Sequence, residues 1–458
     1  MYSLDDTIAA IATSIGQKGV GIVKLSGPEA YDIAHHLFRF VKGGPDFRPR
    51  YLHYGHIVDP KSQAIIDEAL IVFMPQPYSY TRQDVVEIQA HGGIVPLQRI
   101  LELTLSLGAR PAEAGELTLR AFLNGRLDLA QAEAVLDIIE AKTDAALRIA
   151  NEQLGGSLSV QVSKVRTKLL DTLAYLEASI DFVEDEIPLQ EVVRPLTQVK
   201  ELLEKLLQSA DHGLIYRQGV RAAIVGRPNV GKSSLLNALL RGDRAIVTAI
   251  PGTTRDTLEE TVNMGGIPLV LVDTAGIRAE PADEVERIGV ERSQSALARA
   301  DLALMVVDGS CDPESGDWEI ERLVESKPAL LVVNKNDLPS AHNRSFPPHF
   351  LPAVPRVAIS AVNNEGIELL ETAITKIIMG GNVTLADAPL VSNPRHKTLL
   401  QEAAGYTQSA IGAQQNGLSP DLVSIDVREA VEALGKITGE TVTEDLLDTI
   451  FSKFCIGK

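Results

Sequence analysis

Gly226-Arg-Pro-Asn-Val-Gly-Lys-Ser-Ser234 is the stretch whose reading decides the fold. It has the form G-x-x-x-x-G-K-[ST], in which backbone N–H groups and a helix N-terminus surround phosphate oxygens. The apolar run Arg221-Ala-Ala-Ile-Val225 before it suits a buried strand, and Ser234 to Leu240 reads as the start of a helix. Gly226 and Gly231 let the backbone turn its donors inward, and Asn229, Val230 and Ser234 complete the loop. Lys232 is placed to reach the β- and γ-phosphates, and Ser233 to ligate Mg²⁺.

Three later motifs supply the rest of a nucleotide site. Leu269-Val-Leu-Val-Asp-Thr-Ala-Gly276 is a buried-type strand ending in D-x-x-G. Asp273 suits a water-mediated Mg²⁺ contact, and the Gly276 N–H suits a γ-phosphate. Leu330-Leu-Val-Val-Asn-Lys-Asn-Asp337 ends in N-K-x-D, with Asn334, Lys335 and Asp337 as the motif residues. The Asp337 carboxylate matches two donors on guanine, N1–H and N2–H₂, which adenine does not present together. Asn334 fits the other side of the base. Val357-Ala-Ile-Ser-Ala361 supplies the last strand, with a backbone N–H for guanine O6 at Ser360 and Ala361. Four motifs in this order, each at the C-terminal end of a strand, match the binding edge of an open α/β sheet. A domain that binds GTP or GDP is expected.

The whole chain has 458 residues, enough for two or three domains, and 45% of them are hydrophobic. No apolar run approaches the ~20 residues of a membrane span, so no membrane association is expected. The N-terminus lacks a basic segment followed by an apolar one. Cys311 and Cys455 are the only cysteines, which excludes a disulfide framework and fits a reducing cytoplasm. Net charge is −18. A strong RNA binder usually carries a broad basic face, so any nucleic acid must meet a local patch or a partner.

Along the chain, Thr7–Thr13 and Val20–Leu25 read as strands joined by Gly16-Gln-Lys-Gly19. That G-x-x-G resembles an RNA-clamping loop, but such a loop joins helices, so a plain turn is expected. Strand patterns follow at 51–58, 68–74 and 84–89, and a helix pattern at 93–107. From Leu117 the character becomes helical, persisting to about Phe182 with an interruption at Gly155-Gly156, and resuming over 193–207, 394–411 and 421–434. Thr441-Val-Thr-Glu444 reads as a capping box opening a last helix over 445–454. The expected architecture is multidomain: an α+β domain (1–118), a helical bundle in two parts (119–215 and 380–458), and an inserted α/β P-loop GTPase domain (216–379).

The chain resembles the MnmE (TrmE) family of tRNA-modification GTPases from end to end. The marks outside the shared nucleotide motifs are Asp84-Val-Val-Glu-Ile-Gln-Ala-His-Gly-Gly93, Ala121-Phe-Leu-Asn-Gly-Arg-Leu-Asp-Leu-Ala-Gln-Ala-Glu133, Asp283-Glu-Val-Glu-Arg-Ile-Gly289 and Phe454-Cys-Ile-Gly-Lys458. The resemblance implies an N-terminal folate-binding domain that makes a homodimer. It implies a complex, a heterotetramer, with the FAD-dependent protein MnmG, which carries much of the tRNA affinity. Together they would install an aminomethyl or carboxymethylaminomethyl group on C5 of the wobble uridine, U34, with a 5-formyl- or methylene-tetrahydrofolate supplying the carbon.

The resemblance places the folate on Lys24, Glu87, Arg126 and Lys458. The family often has Arg at the first of these and Lys at the third, a change that keeps charge but alters hydrogen-bond geometry. Ile277 stands where Ras-type proteins have a water-orienting Gln. Asn229, with Thr248, Ile250 and Thr253, is the candidate cage for K⁺, standing in for an arginine finger. Thr254 is the candidate Mg²⁺-binding switch threonine, and Arg278 a weaker switch contact. By composition Glu286 reads as a solvated helix charge; the resemblance makes it the residue that positions the attacking water. Cys455 is read either as a buried hydrophobe or as a site residue, His91 as structural and Cys311 as inert. A rival class is a non-enzymatic, GTP-dependent ribosome-assembly switch; the absence of a basic tail argues against it.

Overall fold

The structure is a computed structural model and describes residues 4–14, 16, 18–41, 46–181, 192–241, 244–246, 260–272, 294–342, 347–380 and 391–458. The chain forms two compact units. One comprises Met1–Leu136, Gln153–Ile187 and Ser419–Lys458; the other comprises Asp137–Glu152 and Pro188–Leu418.

In the second unit, the apolar runs beside the nucleotide motifs become β8 (Val220–Val225), β11 (Ile267–Val272), β12 (Leu302–Asp308), β13 (Ala329–Asn334) and β14 (Arg356–Ala358). Two further strands, β9 (Ala245–Ile246) and β10 (Glu260–Met264), complete the sheet order β14-β13-β12-β8-β11-β10-β9. The sheet is parallel from β14 to β11, and β10 and β9 run antiparallel. Alternate residues enter two separate cores. Ala222, Ile224, Leu269, Leu271, Leu304 and Val306 join one; Ala223, Val225, Val272, Ala303 and Met305 join the other. Burial on both faces explains why these strands are continuous apolar runs rather than alternating ones. The helix Val193–Gln218 lies along the helix Pro394–Gln415. It continues eleven residues past Leu207, where the sequence pattern fades.

The turn between β10 and β11 is held from three sides. Thr143 Oγ1 donates to the Gly266 carbonyl at 2.8 Å, and the Gly265 N–H donates to Glu371 Oε1 at 2.8 Å. Arg244 pairs with the other oxygen of Glu371 at 3.3 Å. Gly265 and Gly266 have φ of 59° and 89°, the left-handed region that favours glycine. Thr143 also marks a correction. The sequence reads one helical pattern from Leu127 broken only at Gly155-Gly156, but helix Leu129–Glu140 stops before Thr143 and helix Asp144–Leu154 starts after it. The Thr143 hydroxyl accepts the Ala146 N–H at 3.2 Å and so caps the new helix.

The first unit holds a sheet of order β3-β4-β5-β6-β2-β1-β7, seven strands among the described residues. They are β1 (Ile8–Ile11), β2 (Lys18–Ser26), β3 (Phe38–Phe40), β4 (His53–Val58), β5 (Ile65–Met74), β6 (Val85–Gly92) and β7 (Arg110–Pro111). β1 and β2 pair antiparallel, and Lys18 and Gly19 of the expected turn already belong to β2; Gln17 lies outside the described residues. Val86, Ile88 and Ala90 face the core under helices Ala30–Leu37 and Ile94–Ser106. Period 2 therefore sends Glu87, Gln89 and His91 to the opposite face. Helix Ser157–Asp181 lies along helix Pro420–Thr438, where Arg428 pairs with Glu177 at 2.9 Å.

The expected capping box at 441–444 does not form. Thr441 Oγ1 donates instead to the Glu432 carbonyl at 3.0 Å, and Thr443 is the N-cap of a helix spanning Glu444–Phe451. The helix starts two residues later than a box opened by Thr441 requires, so Thr441 is not at the N-cap.

Arg120, only 1% exposed, is the polar centre of this unit. Its guanidinium donates to the Asp6 carbonyl at 2.8 Å, Gln83 Oε1 at 3.0 Å and Glu116 Oε1 at 3.0 Å, and pairs with the Asp6 carboxylate at 2.5 Å. Arg110 pairs with the same two carboxylates at 2.7 and 2.6 Å. Burial pushes the Asp6 and Glu116 carboxyls upward, but the two arginines more than offset it and hold both below their ordinary values. Their contribution to stability is therefore present above the ordinary carboxylate range and is lost as pH falls through the lowered values. Arg120→Ala leaves Glu116 buried and short of its main partner. We expect a loss of about 3–5 kcal/mol, read as a shift of the urea transition followed by circular dichroism. A variant as stable as the parent would show that the arginine cluster is incidental.

Candidate nucleotide site

The phosphate loop follows β8 and leads into helix Lys232–Leu240. Its backbone takes values that only certain residues allow. Gly226 and Gly231 have φ of 152° and 99°, and Asn229 has φ of 63°. Asn is among the few side chains that tolerate that region. A Cβ on Gly231 would lie 2.1 Å from Asn334 Nδ2, and one on Gly226 would lie 2.3 Å from the Val306 carbonyl. Both glycines are thus required by space as well as by φ. Lys232 Nζ donates to the Gly226 and Arg227 carbonyls at 2.9 and 2.8 Å, arching over the loop. Ser233 and Ser234 occupy the first helical turn, where inward-turned backbone N–H groups and the helix dipole favour an anion. Asn229 is exposed at the rim and Val230 is buried.

The base-recognition loops are locked to this loop by one side chain. Asn334, 2% exposed, donates from Nδ2 to the Val230 carbonyl at 2.9 Å and accepts the Ala361 N–H on Oδ1 at 3.0 Å. From sequence, Asn334 faces the base and the Ala361 N–H faces guanine O6; in the structure these two groups bond each other. Asp337 is oriented by Ser360, whose fully buried hydroxyl donates to Asp337 Oδ1 at 2.7 Å and accepts the Asn363 N–H at 3.2 Å. Lys335, at φ 65°, pairs with Asp308 at 2.6 Å. Burial pushes the Asp308 carboxyl upward, but hydrogen bonds from Lys335 and Ser310 hold it below the usual carboxylate value.

Sequence reasoning missed a second anchor. Arg227 pairs with Asp317 at 2.7 Å and with Glu314 at 2.5 Å, and Asp317 is 1% exposed. Burial opposes the charge on Arg227, but the two carboxylates hold it firmly protonated. The loop is staked at its second residue to helix Ser315–Val324. The only sequence signal was an acid at each of two positions near a helix start, which composition treats as ordinary.

Thr248, Ile250, Thr253, Thr254, Asp273, Gly276, Ile277, Arg278 and Glu286 lie outside the described residues. Of the two cysteines, Cys311 is half-buried, and burial first, then the Asp308 charge, pushes its thiol up. Cys455 is exposed, and its carbonyl accepts the Gly115 and Lys458 N–H groups at 3.4 and 3.3 Å.

Of the four residues assigned to folate, Lys24 and Glu87 sit opposite each other on β2 and β6 and pair at 3.1 Å. Both are partly exposed, so they present a ready-made cation and carboxylate to solvent, already satisfying each other. Arg126 stacks on Tyr80 at 4.7 Å and donates to its carbonyl at 3.2 Å. The Lys458 carbonyl accepts the Leu117 N–H at 3.1 Å. Tyr80 and Leu117 belong to one small cluster with Ile8, Ala10 and Ala112. His91, exposed, bonds Asp67 at 2.7 Å, which raises its pKa.

A parallel sheet, a glycine-bounded phosphate loop and an N-K-x-D carboxylate define a GTPase of the P-loop class. A family model described as the MnmE helical domain matches residues 129–455, and one described as the GTP-binding protein TrmE N-terminus matches residues 7–126. The chain is 50% identical over 465 residues to a tRNA modification GTPase MnmE of Roseiflexus castenholzii, covering 99% of each. It is 51% identical to that of Chloroflexus aurantiacus, covering 99% of this chain and 100% of the relative, and 49% identical to that of Alkaliphilus metalliredigens with the same coverage. This chain belongs to the MnmE family.

Ser360 holds one oxygen of Asp337 in a fixed direction, and we propose that this carboxylate sets base identity. Asp337→Asn sets a donor against the guanine donors and is expected to favour xanthosine triphosphate. Lost pairing of this kind costs on the order of 10⁴-fold in discrimination. Competition binding of the two nucleotides measures it; undiminished preference for GTP in the variant would remove Asp337 from the base site.

Proposed function

We propose that this chain hydrolyses GTP as one component of a tRNA wobble-uridine modification enzyme. It acts with a FAD-dependent partner, MnmG, to add an aminomethyl or carboxymethylaminomethyl group at C5 of U34, using a folate one-carbon unit. The observation that carries this reading is identity of about half over the full length of relatives named tRNA modification GTPase. The working form is a homodimer in the cytoplasm, joined by the partner in a heterotetramer that supplies much of the tRNA affinity. Its domains are the α+β folate domain at 1–118, the helical domain at 119–215 and 380–458, and the GTPase domain at 216–379. Among the described residues no helix is long and apolar enough to cross a membrane.

On nucleotide binding, Lys232 exchanges the Gly226 and Arg227 carbonyls for phosphate oxygens, which keeps its charge satisfied in both states. Ser233, Thr254 and Asp273 are the Mg²⁺ set, and Gly276 meets the γ-phosphate. The donors at Ser233 fit, being a hydroxyl on the first helical turn beside the loop. A Mg²⁺ ion held there would supply positive charge to the phosphates. Glu286 orients the attacking water, because Ile277 has no polar atom to do so. Asn229, exposed at the loop rim, fits a K⁺ site completed by Thr248, Ile250 and Thr253, where a fixed charge meets the charge that grows in the transition state. Lys24 and Glu87, with Arg126 and Lys458, hold the folate, the cations on its glutamyl tail and the carboxylate on the donor edge of its pterin.

Two measurements test this reading. In a strain lacking the gene, mass spectrometry of tRNA nucleosides should show the C5-modified U34 missing, and the plasmid-borne chain should restore it. Persistent modification in the deletion would return the chain to the class of assembly switches. Separately, GTP turnover should be strongly K⁺-dependent, and Asn229→Ala should lose the K⁺ response while still binding GTP. Equal turnover in Na⁺ and K⁺ at matched ionic strength would sink the cation assignment.

A further inference from the structure

In a chain of net charge −18, three segments of the first unit lack acids. Residues 47–58, 75–83 and 117–127 contain no Asp or Glu and, besides the buried Arg120, carry the exposed Arg48, Arg50, Arg82 and Arg126. The structure joins these segments. Arg50 donates to the Tyr78 carbonyl at 3.3 Å, Arg82 to the Asn124 carbonyl at 3.0 Å, and Arg126 to the Tyr80 carbonyl at 3.2 Å. Among the described residues none of these four arginines pairs with a carboxylate, whereas Arg99, Arg110, Arg120, Arg217 and Arg227 all do.

The same surface displays aromatic rings. Tyr78 is 75% exposed and Tyr51 54% exposed. Arg48 lies over the Tyr51 ring at 5.6 Å, and Arg50 over the Tyr78 ring at 5.3 Å. Each guanidinium lies within cation–π range of a ring and, unpaired with any carboxylate among the described residues, keeps N–H groups for a phosphate. The outer faces of such rings are stacking platforms for unpaired bases, and planar cations beside them track the backbone. A protein ligand for a cationic patch would bring carboxylates but would not need exposed rings in register with the cations.

We propose that Arg48, Arg50, Tyr51 and Tyr78 form a docking surface for a single-stranded RNA loop. This deepens the function proposed above and rests on it: the loop is the anticodon loop of the tRNA whose uridine is modified. The chain itself then supplies a local foothold for the loop, distinct from the affinity assigned to the partner. Arg126 is left out of the claim because the folate reading uses it.

The test is binding of a fluorescein-labelled anticodon stem-loop RNA to the full-length chain, by anisotropy, without the partner protein. Tyr78→Ala, and Arg48→Gln with Arg50→Gln, should each weaken binding about tenfold while GTP turnover stays unchanged. The double arginine variant should also flatten the log–log dependence of affinity on salt by roughly 1.4, two phosphates at about 0.7 each. Arg50→Lys should retain most of the salt dependence but not the full affinity, since an ammonium does not stack. Unchanged affinity in these variants, or no RNA binding by the parent chain, overturns the proposal. Intact RNA binding with lost binding of the partner protein assigns the surface to a protein and also overturns it. The functional reading fails on a different result, restoration of U34 modification by the parent chain being absent.

Discussion

The amide of Asn334 spans a gap that would otherwise separate the phosphate loop from the base loop. Its two ends take the Val230 carbonyl and the Ala361 N–H, and both bonds are buried. A buried amide left half-satisfied costs about 1–3 kcal/mol, so the two loops are held together or not at all. The requirement for glycine at 231 follows, because any side chain there would strike the same amide. The Gly309 N–H bonds the Asn334 carbonyl at 2.8 Å, so the end of β12 joins the same node. The site is assembled around one side chain before a nucleotide enters, which lowers the ordering cost of binding.

The first unit depends on a different kind of centre. Arg120 ties the chain before β1 to helix Glu116–Leu123 and to Gln83, three segments far apart in sequence. The cluster is two cations and two carboxylates, so its charge is balanced inside the protein, and the hydrogen bonds fill the guanidinium's donor set. Such a cluster contributes specificity of arrangement more than net stability, since desolvation offsets much of the attraction. It fixes the helix that carries Leu117 beside Tyr80 and β1, and so the footing of Arg126 and Lys458.

The nucleotide site was legible because its chemistry is local. A strand, a glycine turn and a lysine lie within a dozen residues, and apolar runs flank each motif. The parallel sheet was legible for the same reason: strands buried on both faces are written as unbroken apolar runs. What escaped was settled by contacts across long separations. The break at Thr143 has no glycine or proline; it exists because its hydroxyl is claimed by Gly266, 123 residues away. The capping box failed at Thr441 because the helix begins two residues later, with Thr443 at the N-cap and Thr441 turned back to the Glu432 carbonyl. Helix Ala30–Leu37 is eight residues long and went unmarked, its apolar positions too few to set a period. Arg227 is an unspecified position of the phosphate-loop motif, and only the fold brings Asp317 beneath it.

The fastened turn of β10 and β11 has a mechanical meaning. β10 begins directly after the segment that carries Thr248 to Thr254, and β11 ends directly before Asp273. At the opposite end, Gly265 and Gly266 are bolted to Glu371 and Thr143. Sliding this hairpin lengthwise breaks both bolts, each a hydrogen bond worth about 1 kcal/mol. Because β11 also pairs with β8 along Leu269–Val272, Thr143 and Glu371 pin the far end of two strands that are already fixed in the sheet.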